Sequence, residues 1–110
     1  MSQKGGNDFR EIANNAILEI IETIDKYDQD YVLDVEVQSD IIKINIPVSD
    51  KQYVLNKHIN YREIWLASPI SGPYRFGYKN GKWLDKNSID MASLLTKELS
   101  AFIKDIKFHL

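Results

Sequence analysis

The chain has 110 residues, 44% hydrophobic and 11% aromatic, which is enough for one packed domain and unlike a disordered chain. It holds no cysteine, which excludes disulfides, cysteine-held zinc or iron–sulfur clusters and a thiol nucleophile in this chain, and fits a reducing compartment. The net charge of −2 conceals an asymmetry: residues 1–40 carry ten acids against three bases, and residues 41–110 carry six acids against eleven bases. Such polarity bears on partners more than on fold, and it argues against nucleic acid on the acidic side.

No apolar run approaches a membrane span. The N-terminal MSQKGGNDFR has neither an apolar signal core nor an Arg-rich transit pattern. The expected location is cytoplasmic, or the mitochondrial matrix if a transit peptide has been removed. Residues 1–7 are polar and glycine-containing, so a flexible tail is expected ahead of a single domain at 8–110.

From Asp8 the pattern is helical. Phe9, Ile12, Ala13, Ala16, Ile17, Ile20, Ile24 and Tyr27 recur at three- and four-residue spacing, with Glu11, Glu19, Glu22 and Asp25 on the opposite arc. This predicts an amphipathic helix over 8–26 with an acidic outer stripe, in which Leu18 is out of place. YVLDVEVQ (31–38) alternates Leu33, Val35 and Val37 with Asp34 and Glu36, the period of a half-buried strand with its acids outward. IIKINI (41–46), QYVLNK (52–57), YREIWLA (61–67) and PYRFGY (73–78) predict four more strands, and Asn80-Gly81 a hairpin into a short sixth at 82–84. Asp90 is a candidate N-cap, with Ile89 and Leu94 placed as a hydrophobic staple. An apolar stripe from Met91 to Ile106 then predicts a second helix.

Short turns imply an antiparallel meander. The predicted fold is an α+β sandwich, with N- and C-terminal helices packed on one face of a five- to six-stranded antiparallel sheet and the other face in water. Ile64 and Leu66 then point to the helices, while Trp65 lies on the uncovered face with Asn56.

Two constellations stand out. The acids Glu19, Glu22, Asp25, Asp28, Asp30, Asp34 and Glu36 offer hard oxygen ligands suited to a divalent cation or iron, and equally fit a solvated helix face. Against the solvated face, like charges at three- and four-residue spacing cost stability. Trp65, with Asn56, His58 and Arg75, reads either as satellite core or as an interface anchor. Catalysis finds no foothold. His58 and His109 are far apart in sequence, Ser68 and Ser71 lack a nucleophile elbow, and Gly72 belongs to no phosphate-binding loop.

Asn56-Lys57, Ile64-Trp65-Leu66-Ala67-Ser68-Pro69, Ser71-Gly72-Pro73 and Trp83 closing a hairpin together resemble the frataxin family, over nearly the whole chain. The resemblance is to the bacterial-type members. It implies an iron-binding regulator or iron donor in iron–sulfur cluster assembly, acting on a cysteine desulfurase and its scaffold protein. Weakly bound Fe²⁺ or Fe³⁺ would sit on an acidic ridge of Glu22, Asp25, Asp28, Asp30, Asp34 and Glu36, with Glu11 and Glu19 as additions. Partner contacts would fall on Asn56, Trp65 and Arg75. The implied state is a monomer able to oligomerise with iron. A ferroxidase that stores iron, and a protein-interaction module whose acids never meet metal, are the rival readings. Lys26 interrupts the ridge, Asn14 and Asn15 stand where some members carry acids, and His58 and Glu63 replace frequent glutamines.

Overall fold

Phe9, Ala13, Ala16, Ile17, Ile20 and Ile24 are all buried, so the 3.6-residue period of the sequence becomes the core-facing stripe of helix α1 (Gly6–Tyr27). The computed structural model describes residues 6–110. The expected tail therefore lies mostly outside the described residues, and α1 begins within it at Gly6. No helix among the described residues is long and apolar enough to cross a membrane.

Six strands follow: β1 (Asp34–Gln38), β2 (Ile41–Ile46), β3 (Lys51–His58), β4 (Glu63–Ser68), β5 (Gly72–Lys79) and β6 (Lys82–Leu84). They pair in sequence order and antiparallel throughout. Alternation then sorts the side chains. Ile42, Ile44, Tyr53, Leu55, Ile64 and Leu66 are buried in one cluster with α1 and with α2 (Met91–Leu99). Both helices thus cover one face. The Asn80-Gly81 hairpin has φ of 52° and 80°, the two positive values a tight primed turn requires.

Three elements depart from their patterns: β4 begins at Glu63, with Tyr61 and Arg62 in the turn before it, and two others are shorter than predicted. Residues 31–33 precede β1, because the Val32 and Leu33 amides donate to the Asp28 carboxylate instead of a strand partner. Val37, expected inward, is 56% exposed at the sheet margin. Helix α2 stops at Leu99 although the apolar stripe runs on. The Ser100 hydroxyl donates back to the Thr96 carbonyl, a competitor of helix propagation. The chain then turns through Asp105 at φ 64°, and the Phe108 amide donates to Thr96 Oγ1. Ile103, Ile106 and Phe108 remain buried, so the stripe is real but only its first half is helix.

Glu98 ties the two layers together. It lies on the apolar arc of α2 beside Leu95 and Leu99 and is 8% exposed. Its Oε1 accepts from Tyr53 Oη at 2.8 Å and from Ser68 Oγ at 2.6 Å, and its Oε2 from Ser71 Oγ at 2.5 Å. Ser68 Oγ in turn accepts the Ile70 and Ser71 amides. The Ser-Pro-Ile-Ser-Gly-Pro loop is thereby fixed, and Gly72 at φ 102° gives it the left-handed step that other residues resist.

Burial pushes the Tyr53 phenol well above its ordinary value, and the Glu98 hydrogen bond and charge push it further. The folded protein therefore holds this proton after the unfolded chain has released it. Stability is full below the unfolded value near pH 10 and falls as pH rises beyond it, by about 1.4 kcal/mol per unit from this group. Denaturant midpoints measured from pH 9 to 12 should show that decline, and Tyr53→Phe should shed this part of it.

Candidate functional site

Strand register sets Asn56, Trp65 and Arg75 side by side across β3, β4 and β5. All three share the uncovered face, since the flanking Leu55, Ile64 and Phe76 are buried inward. Trp65 is half-buried by its neighbours. The His58 ring stacks on it from β3 at 3.6 Å between centroids, and Tyr61 lies parallel at 5.6 Å. From the other side of the strand, the Arg75 guanidinium sits 4.1 Å from the indole centroid. The indole Nε1 donates to Glu63 Oε1 at 2.8 Å. The two readings left open by the sequence therefore merge: Trp65 is packed locally, yet its platform belongs to no hydrophobic core. His58 Nε2 is buried there without a hydrogen-bond partner among the described residues.

The acids form a second surface. Glu11, Glu19, Glu22 and Asp25 are exposed along α1, and Asp30, Asp34 and Glu36 along the link and the edge strand β1. No ion pair within 4.0 Å among the described residues uses any of them. Asp34 and Glu36 align with Asn45 and Lys43 on the uncovered face, whereas the α1 acids belong to the helical layer. Glu36 Oε2 accepts from Asn45 Nδ2 at 3.2 Å, and Asn45 Oδ1 accepts from Gln52, a polar ladder running inward from the edge. The β1 acids thus lie at one sheet edge, and the α1 acids along the outer face of the helix. Among the described residues no three His, Cys, Asp or Glu side chains are grouped to hold a metal ion.

Asp28, expected among the ligands, differs from the other acids of the stripe in its burial. It is 7% exposed, and its two oxygens accept the Val32 and Leu33 amides at 2.8 Å each. Its carboxylate closes the turn after α1 and is turned from solvent.

A family model described as a frataxin-like domain matches residues 2–105. The chain belongs to the frataxin family. A curated relative, the mitochondrial frataxin homolog of Saccharomyces cerevisiae, is 35% identical over 88 residues, covering 79% of this chain and 50% of the relative. The chain thus spans half the length of that relative. A solved yeast frataxin superposes with a TM-score of 0.70 at 30% identity, over 86% of this chain and 79% of that one. Another, a trimeric yeast frataxin complexed with ferrous iron, gives 0.62 at 30% identity over 92% and 87%. The frataxin of Psychromonas ingrahamii gives 0.80 at 16% identity over 96% of each chain, which shows the shared fold.

Within this frataxin fold, Tyr61 and Glu98 escaped sequence reasoning, and Glu63 entered it only as a replacement for a frequent glutamine. Glu63 orients the Trp65 indole, Tyr61 extends its stack, and Glu98 fixes the loop that leads into β5 and Arg75. Only Glu98 left a signal, a carboxylate on an otherwise apolar helix arc. Lys26, expected to interrupt the acidic stripe, sits in the last turn of α1 with its ammonium 5.3 Å from the Tyr27 ring. A cation there complements the helix C-terminus.

Proposed function

We propose that this frataxin-family chain is a non-enzymatic, iron-binding regulator and iron donor of iron–sulfur cluster assembly, acting as one domain on a cysteine desulfurase–scaffold complex in the cytoplasm. The observation that carries this reading is the run of exposed carboxylates on α1, the link and the edge strand β1, none of them in an ion pair within 4.0 Å among the described residues. The ferrous complex of the yeast relative supports iron as the cargo. Glu11, Glu19, Glu22, Asp25, Asp30, Asp34 and Glu36 would hold it, with Asp28 supporting the turn. Spaced, solvated carboxylates take a cation by one or two oxygens each and leave it much of its water, so binding is weak and exchange easy. The same acids would steer the chain to a basic patch of the desulfurase, in a salt-sensitive encounter. Trp65, flanked by Asn56 and Arg75, would anchor the docked state. The chain would be monomeric without iron, and the trimeric yeast relative favours an oligomer with it.

Purified desulfurase and scaffold provide the test. Adding this chain should change the rate of cluster formation, with a further change on adding Fe²⁺; an unchanged rate in both cases sinks the reading. Trp65→Ala should weaken docking by about 2 kcal/mol, near thirtyfold, as for an interface hot spot. Its melting temperature should move little, because the side chain lies outside the core.

The lack of a grouped carboxylate trio among the described residues favours one alternative, a metal-independent interaction module. Calorimetric titration with Fe²⁺ that shows no heat of binding, while desulfurase binding persists, would establish it.

A further inference from the structure

An open groove of about 640 Å³ crosses the uncovered face between β5 and the loop after β6. Its bases are Arg75, Lys79 and Lys86; its acids are Glu63 and Asp85. Both acids are already held by N–H donors. Glu63 accepts from the Trp65 indole, and Asp85 from the Asn87 and Ile89 amides. No ion pair within 4.0 Å among the described residues engages the three bases. Lys79 also stands directly opposite Lys82 in the β5–β6 ladder. Like charges in that position destabilise a sheet, and no ion pair within 4.0 Å among the described residues offsets them. The groove floor is Gly77, whose backbone has no need of glycine: a Cβ added there would meet nothing within 4 Å. The residue keeps the floor flat.

We infer that this groove is a docking site for an extended acidic segment of a partner protein, with carboxylates on alternate residues. Spacing selects that occupant. Arg75 and Lys79 are four residues apart on one strand, about 13 Å. A compact anion reaches one of them, whereas an extended chain sets same-face side chains every second residue, about 7 Å apart, and reaches both. Because β5 is paired on both sides, recognition is by side-chain charge across the sheet and not by adding a strand. Arg75 enters pre-positioned, its guanidinium already stacked on Trp65. The inference extends the partner-facing role proposed for Arg75 and does not depend on iron, since none of these residues lies on the acidic edge.

The test is an NMR titration of the ¹⁵N-labelled full chain with a capped hexapeptide of alternating Glu and Thr, against citrate and against chloride at matched ionic strength. The expected result is saturable shifts at Gly77, Lys79, Lys86 and the Trp65 indole N–H. Gly77→Val should lower peptide affinity tenfold or more with a melting temperature no lower than the parent's, because the side chain occupies the groove, its Cβ meets no atom within 4 Å and valine suits a strand. Lys79→Gln with Lys86→Gln should weaken binding and flatten its salt dependence. Shifts centred elsewhere, or undiminished affinity in Gly77→Val, overturn the proposal. Citrate binding as tightly as the peptide overturns it in favour of a small-anion site. Groove shifts that grow with protein concentration alone overturn it in favour of a second copy of this chain. The cluster-assembly assay is a separate readout, so the two proposals fail independently.

Discussion

Glu98→Ala should destabilise the protein by about 3–5 kcal/mol, the range for stripping a buried charged acceptor from its donors. The substitution leaves the Tyr53 hydroxyl, on a fully buried residue, and the Ser68 hydroxyl without their acceptor. It also frees Ser71, so the loop into β5 loses its tether. Three hydroxyl donors are what make an unpaired carboxylate tolerable at this depth, since a buried charge without them would cost several kcal/mol. Glu98→Gln keeps one carbonyl acceptor and the side-chain volume, and should cost about 1–2 kcal/mol. Urea denaturation of both variants decides the point. A drop below about 1 kcal/mol for the alanine variant would mean that the network contributes little to stability.

Asp28→Ala should cost about 2–3 kcal/mol, and Asp28→Asn about 1–2 kcal/mol, because each amide uses its own carboxylate oxygen and an asparagine side chain offers only one. The loss arises in the turn that delivers the chain from α1 to β1, so hydrogen exchange should quicken first at Val32 and Leu33. If Asp28 supports the turn and leaves iron to its neighbours, Fe²⁺ affinity in Asp28→Asn stays within about twofold of the parent under conditions where both are folded. Glu22→Gln with Asp25→Asn should show the opposite pattern, weaker iron binding with stability held or improved, since like charges three residues apart are removed.

The fold was largely legible because its determinants are periodic. The 3.6-residue stripe of α1, the two-residue alternation of IIKINI and the Asn-Gly turn each act through nearest neighbours along the chain, and each element appears where the sequence puts it. Three misses share one cause: a side chain captures a backbone or buried partner that hydrophobic periodicity does not register. Asp28 captures two amides that the alternation of Leu33 and Val35 assigned to a strand. Ser100 and Thr96 end α2 while its apolar period continues. Glu98 meets Tyr53 across 45 residues of sequence, a contact that no local pattern announces. For the candidate site, alternation placed Trp65 and Asn56 on one face and the family resemblance added Arg75 as a partner contact, while their alignment in a single row follows from strand register. The acids were harder to place, because a sequence stripe does not say that α1 and β1 present theirs on different layers of the sandwich.

The most direct measurement is a residue-resolved NMR titration of the labelled chain, first with Fe²⁺ and then with the desulfurase. Iron should broaden the signals of Glu19 to Asp25 and of Asp30 to Glu36, leaving Asn56 and the Trp65 indole N–H sharp. The desulfurase should then perturb both surfaces. Iron that leaves the acidic edge unbroadened, or that broadens the Trp65 face in its place, would contradict the proposed division between an iron-holding edge and a partner-holding sheet.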